Sequence, residues 1–497
     1  MFVKIPSITI HKDVNKHDKL SICRKSQQVR GKIKIKKNTV MSMNANKQVS
    51  LRKSKKNLAM SGIFFSNLYV YTVIRDLKDV IFITECGASY IPFVKTWINL
   101  PISICFMFIY NILLDKFSFR KTYVIIYSFM TILYTFIGLY LYPIRNSLMV
   151  YNVPIIFSKW VNTLYYVLSP IWGTIVVSVL FWSFANQYTN IEEAKSVYPM
   201  MGMLANIALI IGGLTMNAIG TVFITNWELN VQILTIINLF MSMLSLYLFK
   251  YIIDTQEPNE QNELIVEKKK TNMLDNFVEL GKNEFVRNMV IMISCYGLLI
   301  GFYESIWKHY LKIFLQDPIV YSKFMGSVSS LTGVTTIIMM SLGSVWLKHM
   351  TWTKMALITP VSMMSLGIIF FTSIYTKSIV IISLTGAMLT IFLKGAKYAL
   401  FDPCKEIAYI PMDQETKTRG KATIEILSAP IGKSGSNCIL QIFIVVLGSL
   451  ECSAKFIGIL YMITGTAWIT STLSMGKTID SSSNETSLDT NKNENKN

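Results

Sequence analysis

Stretches of predominantly apolar residues, most of them near the twenty needed to cross a hydrocarbon core as a helix, recur along the chain. They lie at about 59–75, 90–113, 122–142, 160–184, 200–222, 230–250, 288–307, 324–347, 355–375, 378–396, 434–450 and 456–474. Twelve such stretches predict an all-α polytopic membrane protein with twelve transmembrane helices. The longest polar connector, from Asp254 to Glu284, falls between the sixth and the seventh. It predicts two six-helix halves, 59–253 and 288–474, joined by a cytoplasmic linker over 254–287 and enclosing a central site. Residues 1–58 read as a basic disordered cytoplasmic tail, and 475–497 as a polar disordered tail.

Composition agrees with this pattern. Of 497 residues, 52% are hydrophobic and 15% charged, against about 25% charged in a soluble domain, and the mean hydropathy is +0.42. The net charge of +19 is concentrated at the start, where the first 58 residues hold sixteen Lys or Arg and two Asp. No fold or motif of nucleic-acid recognition accompanies that charge, so no nucleic-acid partner is expected. It reads as positive-inside bias, with contact to anionic lipid and a targeting role as the alternatives. Loops predicted to face inward carry Lys116, Arg120 and Lys121, then Lys268–Lys270, then Lys348 and Lys354, then Lys405, Lys417, Arg419 and Lys421. Both termini are therefore expected in the cytoplasm. Seven cysteines and four histidines lie too far apart for a metal centre or a paired framework, and no cofactor is expected.

Charges at membrane depth are costly and tend to line water-filled paths or pair internally. Arg75, Asp76, Lys78 and Asp79 directly follow the first apolar run, Lys95 lies inside the second, and Glu304 and Lys308 stand four apart on one face of the seventh. Each has a plainer reading: an interfacial clamp for Arg75 with Asp76 or Asp79, snorkelling for Lys95, a local salt bridge for Glu304 with Lys308. Together they favour a translocation path. Cationic groups near helix N-termini suit a multiply charged anion, and Tyr303 and Trp97 are candidates for stacking a flat base.

The stretch "APIGKSGSN", 429–437, tests a catalytic alternative. A nucleotide-hydrolysing loop needs a glycine five positions before Gly432 and a strand-turn-helix setting. Position 427 is Leu427, and no repeated strand-helix pattern surrounds it. Hydrolysis is excluded on that ground, and no metal cluster or nucleophile-base pair points to another enzyme. Lys433 and Ser434 remain as phosphate donors at the mouth of the eleventh helix, or Lys433 as an interfacial anchor.

In "YTVIRDLKDV", "IPFVKTWINLP", "VVSVLFWSFANQYTNIEEAKSVYPMMGMLANIALI" and "KYALFDPCKEIAYIPMDQETKTRGKATIEILSAPIGKSGS", the chain resembles the ATP/ADP translocases of intracellular parasites and plastids. The resemblance spans residues 60–474. It implies a major-facilitator-like carrier that takes up host ATP in exchange for ADP and, in some members, accepts other purine nucleotides such as GTP and GDP. By motif match, the family's charged residues fall on Lys95, Glu304 and Lys433, and Asp402, Pro403, Lys405 and Glu406 stand as the family places them. Nucleotide binding or translocation is thus expected of Lys95, Glu304, Lys433, Arg75 and Ser434. Gating or structural roles are expected of Asp76, Asp79, Lys308, Asp402 and Lys405. One departure stands out: Pro170 occupies a position where the family carries an acidic residue, which implies a more positive cavity and a broader nucleotide range. The basic extension and Asn/Lys-rich composition resemble a microsporidian member. The implied home is the cell membrane of an intracellular parasite, or else the membrane of a mitochondrion-derived organelle. A carrier of another phosphorylated metabolite or organic anion is the alternative function. The oligomeric state is left open, with a monomer as the simplest case.

Overall fold

The computed structural model describes residues 54–189, 191–255, 284–409 and 421–494. The basic tail up to residue 53, most of the expected linker, and 410–420 lie outside them. The chain divides into two compact units, Met1–Ala59 and Met60–Asn497. Of the first only 54–59 is described, as helix; everything below concerns the second.

All described regular structure is helical. In chain order the long helices are α1 (Ser54–Glu85), α2 (Ala88–Lys116), α3 (Phe119–Leu141), α4 (Trp160–Tyr188), α5 (Ile191–Val222), α6 (Trp227–Thr255), α7 (Glu284–Phe314), α8 (Pro318–His349), α9 (Trp352–Tyr375), α10 (Ile379–Ala408), α11 (Lys421–Leu447) and α12 (Leu450–Glu494). Eleven are long and apolar enough to cross a membrane; in α11 the apolar part, Gly432–Leu447, is shorter. At 1.5 Å per residue, a helix of 29–32 residues outruns a 30 Å hydrocarbon core. The surplus turns continue beyond the apolar stretches.

Lipid offers no hydrophobic drive between helices, so close backbone approach and interhelical hydrogen bonds hold them together. The α5–α8 pair illustrates this. Gly220 faces Lys323, Gly213 meets Gly326, Gly333 meets Asn206 and Gly202 faces Met340, an antiparallel register along the helices. Asn217 donates to Ser327 at 2.8 Å and Ser330 to the Ile210 carbonyl at 3.0 Å. Helices α7 and α11 run parallel, with Gly297 against Gly432 and Gly301 against Ser436. On α1, the Asn67 side-chain oxygen accepts from Tyr127 of α3 and Ser245 of α6, each at 2.8 Å.

Three expectations change here. The first helix does not stop at 75: it runs on to Glu85, because the charges of 75–79 find partners on neighbouring helices. The C-terminal tail expected to be unstructured from 475 continues α12 to Glu494. No proline interrupts it, Asn288 of α7 donates to Ser474 at 3.0 Å, and Thr353 of α9 donates to Asp480 at 2.6 Å. The GKSGS stretch is no helix mouth, since α11 begins at Lys421, more than three turns earlier.

Pro170 lies inside α4, whose α-helical segment Trp160–Ile171 passes into a π-helical one, Trp172–Phe181. Proline has no N–H for the carbonyl four residues back, and wide i→i+5 turns after it let the helix continue. Among the described residues, π segments also lie at Val94–Asn99 in α2 and Ile137–Leu141 at the end of α3, and one at Lys397–Phe401 interrupts α10 as the first interrupts α4. In α4 and α10 the widened stretch ends in Leu-Phe (Leu180-Phe181 and Leu400-Phe401) and returns to α at the next residue.

Candidate functional site

The charges of α1 are buried because α1 is covered on several sides. Asp76, Lys78 and Asp79 are each less than a tenth exposed. Lys78 donates to Asp79 at 2.6 Å and lies 4.3 Å from the ring centre of Tyr166 on α4. The other Asp79 oxygen takes Lys308 of α7 at 2.8 Å. Lys308 also reaches Glu304, one turn back on its own helix, at 2.7 Å, and Glu304 accepts Lys95 of α2 at 3.3 Å. The result is a ladder of alternating sign, Lys78, Asp79, Lys308, Glu304, Lys95, tying α1, α7 and α2 together.

A second group sits beside it on α1. Arg75 pairs with Asp76 at 3.0 Å and donates to Ser329 of α8 at 3.1 Å, while the Ser329 hydroxyl donates to Asp76. From α10 comes Lys394, whose electrostatic neighbours are Arg75, Asp76, Glu304 and Lys308. From α11 comes Lys433, near Lys397, Lys95 and Glu304. Neither lysine ammonium has an ion-pair partner among the described residues, whereas Lys397 pairs with Asp402 at 2.9 Å. Six cations (Arg75, Lys78, Lys95, Lys308, Lys394, Lys433) thus meet three carboxylates (Asp76, Asp79, Glu304), and positive charge is in excess. An excess of this kind suits an anion of several charges.

The sequence-predicted residues divide accordingly. Lys95, Glu304, Asp79 and Lys308 meet in one ladder, and Arg75 and Asp76 form the adjoining pair. Lys433 projects from the middle of α11, exposed, with Ser434 half-buried beside it. Gly432 packs on Gly297 of α7, so these glycines serve helix contact and do not form an anion-binding turn; no helix N-terminus lies at Lys433. Lys405 is near Glu406 at 3.7 Å, and Asp402 opens the last α-turns of α10. Neither joins the ladder.

Of the two aromatic candidates, one ring is buried and the other exposed. Tyr303 is buried, with its hydroxyl 3.4 Å from Thr390 and its ring against Phe370. Trp97 donates to Gln441 of α11 at 2.9 Å, and Gln441 donates to the Pro92 carbonyl and to Thr96 of α2, an α2–α11 latch. A further exposed ring is Tyr398 on the π segment of α10, at 47% exposure, with the Lys397 ammonium 4.4 Å from its centre. It is an electrostatic neighbour of Arg75 and Tyr71 on α1, so it faces inward. Sequence reasoning missed Tyr398 and Lys394. The signal was available in "FLKGAKYALF", where lysines interrupt an apolar helix at a spacing of three.

A family model described as TLC ATP/ADP transporter matches residues 41–479. Over 476 residues the chain is 34% identical to ADP,ATP carrier protein 1, chloroplastic, of Arabidopsis thaliana, covering 88% of this chain and 76% of that protein. It is 30% identical over 472 residues to ADP,ATP carrier protein 1 of Chlamydia muridarum, covering 86% and 89%. Among solved structures, the nucleoside transporter NupG superposes with a TM-score of 0.55 at 11% identity, covering 84% of this chain and 99% of that one; at that identity the likeness is one of fold.

Proposed function

The chain belongs to the TLC ATP/ADP transporter family, and from that premise we propose that it carries ATP inward in exchange for ADP by alternating access. The observation that carries this reading is the surplus of positive charge, with Lys394 and Lys433 lacking acidic partners among the described residues. The two groups of the ladder differ in how firmly they are held. Lys308 is 2% exposed and bonds two carboxylates, whereas the Lys95–Glu304 pair is longer and each side chain is about a quarter exposed. Lys95 is therefore the rung a phosphate takes, and Glu304 then stays neutralised by Lys308. Lys433, with Ser434, and Arg75 complete the proposed phosphate contacts, and Tyr398 supplies the face on which the base stacks. Asp76, Asp79 and Lys308 hold α1, α7 and α8 in register while the site is empty.

The proposed architecture is major-facilitator-like, two six-helix halves over 59–253 and 288–474 with both termini cytoplasmic, α11 supplying the twelfth crossing. Rocking of the halves opens the site to either side in turn. Ring stacking and phosphate pairing do not separate adenine from guanine, so GTP and GDP are proposed as further substrates, consistent with Pro170 adding no negative charge. The multi-pass protein is proposed to lie in the surface membrane of an intracellular parasite, a microsporidian by composition.

Uptake of labelled ATP into ADP-loaded proteoliposomes tests the reading, with unlabelled ADP, GTP, GDP and a sugar phosphate as competitors. Exchange competed by nucleotides and abolished in Lys95→Gln and Lys433→Gln is expected. Competition by the sugar phosphate alone, or normal uptake in both variants, refutes the reading or its phosphate contacts respectively.

A further inference from the structure

We propose that Lys394 is a phosphate ligand of the carrier, left without a protein counter-ion so that the transported nucleotide supplies one. This rests on the nucleotide-exchange reading above. Lys394 stands in the last turn of the first α segment of α10, followed by buried Gly395 and Ala396 and then by the π segment. Its electrostatic neighbours lie on α1 (Arg75, Asp76) and α7 (Glu304, Lys308), which places its ammonium on the interior side of α10 and not toward lipid.

The acids within its reach are already engaged. Asp76 is paired with Arg75 and accepts Ser329, and Glu304 is held by both Lys308 and Lys95. Lys394 has no hydrogen-bond or ion-pair partner of its own among the described residues. One turn away, Lys397 has Asp402, so the local sequence supplies an acid to the neighbour and none to Lys394. An uncompensated cation at membrane depth costs stability and is retained where it serves a function. Lys308, with a carboxylate on either side, shows how this protein neutralises a lysine whose role is structural. Lys394 on α10 and Lys433 on α11 both neighbour Glu304. A polyphosphate that displaces Lys95 from Glu304 comes within reach of both.

The consequence separates a ligand from a strut. Removing an unpaired cation relieves the empty protein, whereas removing a structural one weakens it. The experiment compares wild type, Lys394→Gln and Lys394→Arg in ADP-loaded proteoliposomes, and measures thermal unfolding of each purified protein with and without ATP. Empty Lys394→Gln is expected to unfold at a temperature no lower than wild type. Its half-saturating ATP concentration should rise about tenfold, the size of one lost charge-assisted bond, and the ATP-induced rise in unfolding temperature should shrink; Lys394→Arg keeps both. Half-saturation within about twofold of wild type, or an empty Lys394→Gln protein that is less stable or does not fold, overturns the inference. Wild-type vesicles that fail to exchange bring down the nucleotide reading and this inference together; wild-type exchange with no loss in Lys394→Gln brings down this inference alone.

Discussion

Two lysines on either side of Glu304 in the same ladder have opposite expected phenotypes. Lys308 is buried between Asp79 and Glu304, at 2.8 and 2.7 Å. Lys308→Gln takes away the cation that Asp79 and Glu304 share, leaving Asp79 with Lys78 alone and Glu304 with Lys95 alone, and is expected to cost about 3–5 kcal/mol of stability, read as loss of folded protein on size exclusion. Lys95 touches one acid across 3.3 Å with its side chain partly exposed. Lys95→Gln is expected to yield folded, inactive protein, since partly exposed pairs add little to stability. Equal loss of folding in both would remove the distinction between strut and ligand. Tyr398 carries a third expectation. Base-aromatic stacking is worth about 1–3 kcal/mol, so Tyr398→Ala should raise half-saturating ATP roughly 5- to 100-fold, while Tyr398→Phe, which keeps the ring, transports normally. An alanine variant indistinguishable from wild type would take the base elsewhere. These roles were unevenly legible beforehand. Charges interrupting an apolar run announce themselves, so the members of the ladder are visible in the sequence, but pairing between residues more than 200 positions apart, Lys95 with Glu304 or Asp79 with Lys308, is a product of packing. Tyr303 and Tyr398 look alike as letters, and only the side of the helix decides that one ring is buried.

Helix contacts decide the next scale, and glycine is their instrument where two backbones must approach. A side chain added at Gly213 would run into the carbonyl of Gly326 and the backbone nitrogen of Ser330, whereas at Gly202 the nearest atom is the end of Met340, 3.9 Å away. Gly213→Val is therefore expected to lower the thermal unfolding temperature, with an overpacking cost of about 1–3 kcal/mol, and Gly202→Ala to leave it unchanged. A Gly213→Val protein as stable as wild type would mean that α5 and α8 separate readily along this seam. The positions of the helices were legible in the apolar runs, their extents less so. Hydropathy ends the first run at 75 because four charges follow, yet α1 continues through them, since Asp79 and Lys308 neutralise each other across two helices. The same blindness made GKSGS look like a helix start. Small residues mark a turn in a soluble nucleotide-binding loop, but between membrane helices they mark contact, and Gly432 against Gly297 is of that kind. The π segments of α4 and α10 were foreshadowed only by Pro170 in the first; nothing comparable precedes Lys397–Phe401.

For the whole molecule, the imbalance of fixed charge has an electrical consequence. The carboxylates of the site are spoken for by cations that remain with the protein, so the charge difference between the two cargoes is not cancelled by any group that travels with them. ATP carries one negative charge more than ADP, and each inward exchange therefore moves one negative charge inward. Against an inside-negative potential this costs about 2.3 kcal/mol per 100 mV, a bias of roughly 50-fold in the final nucleotide ratio. The expected result is that a potassium diffusion potential, imposed with valinomycin on ADP-loaded proteoliposomes, lowers ATP accumulation when the interior is negative and raises it when positive. Exchange of ATP for ATP is insensitive to the same potential. Voltage-independent ATP/ADP exchange would require a compensating charge, a proton or another ion, to move with the cargo. A voltage-sensitive exchange leaves concentration gradients as the driving force for uptake, so the direction of net ATP flow reverses once the outside supply falls below the level that offsets the potential.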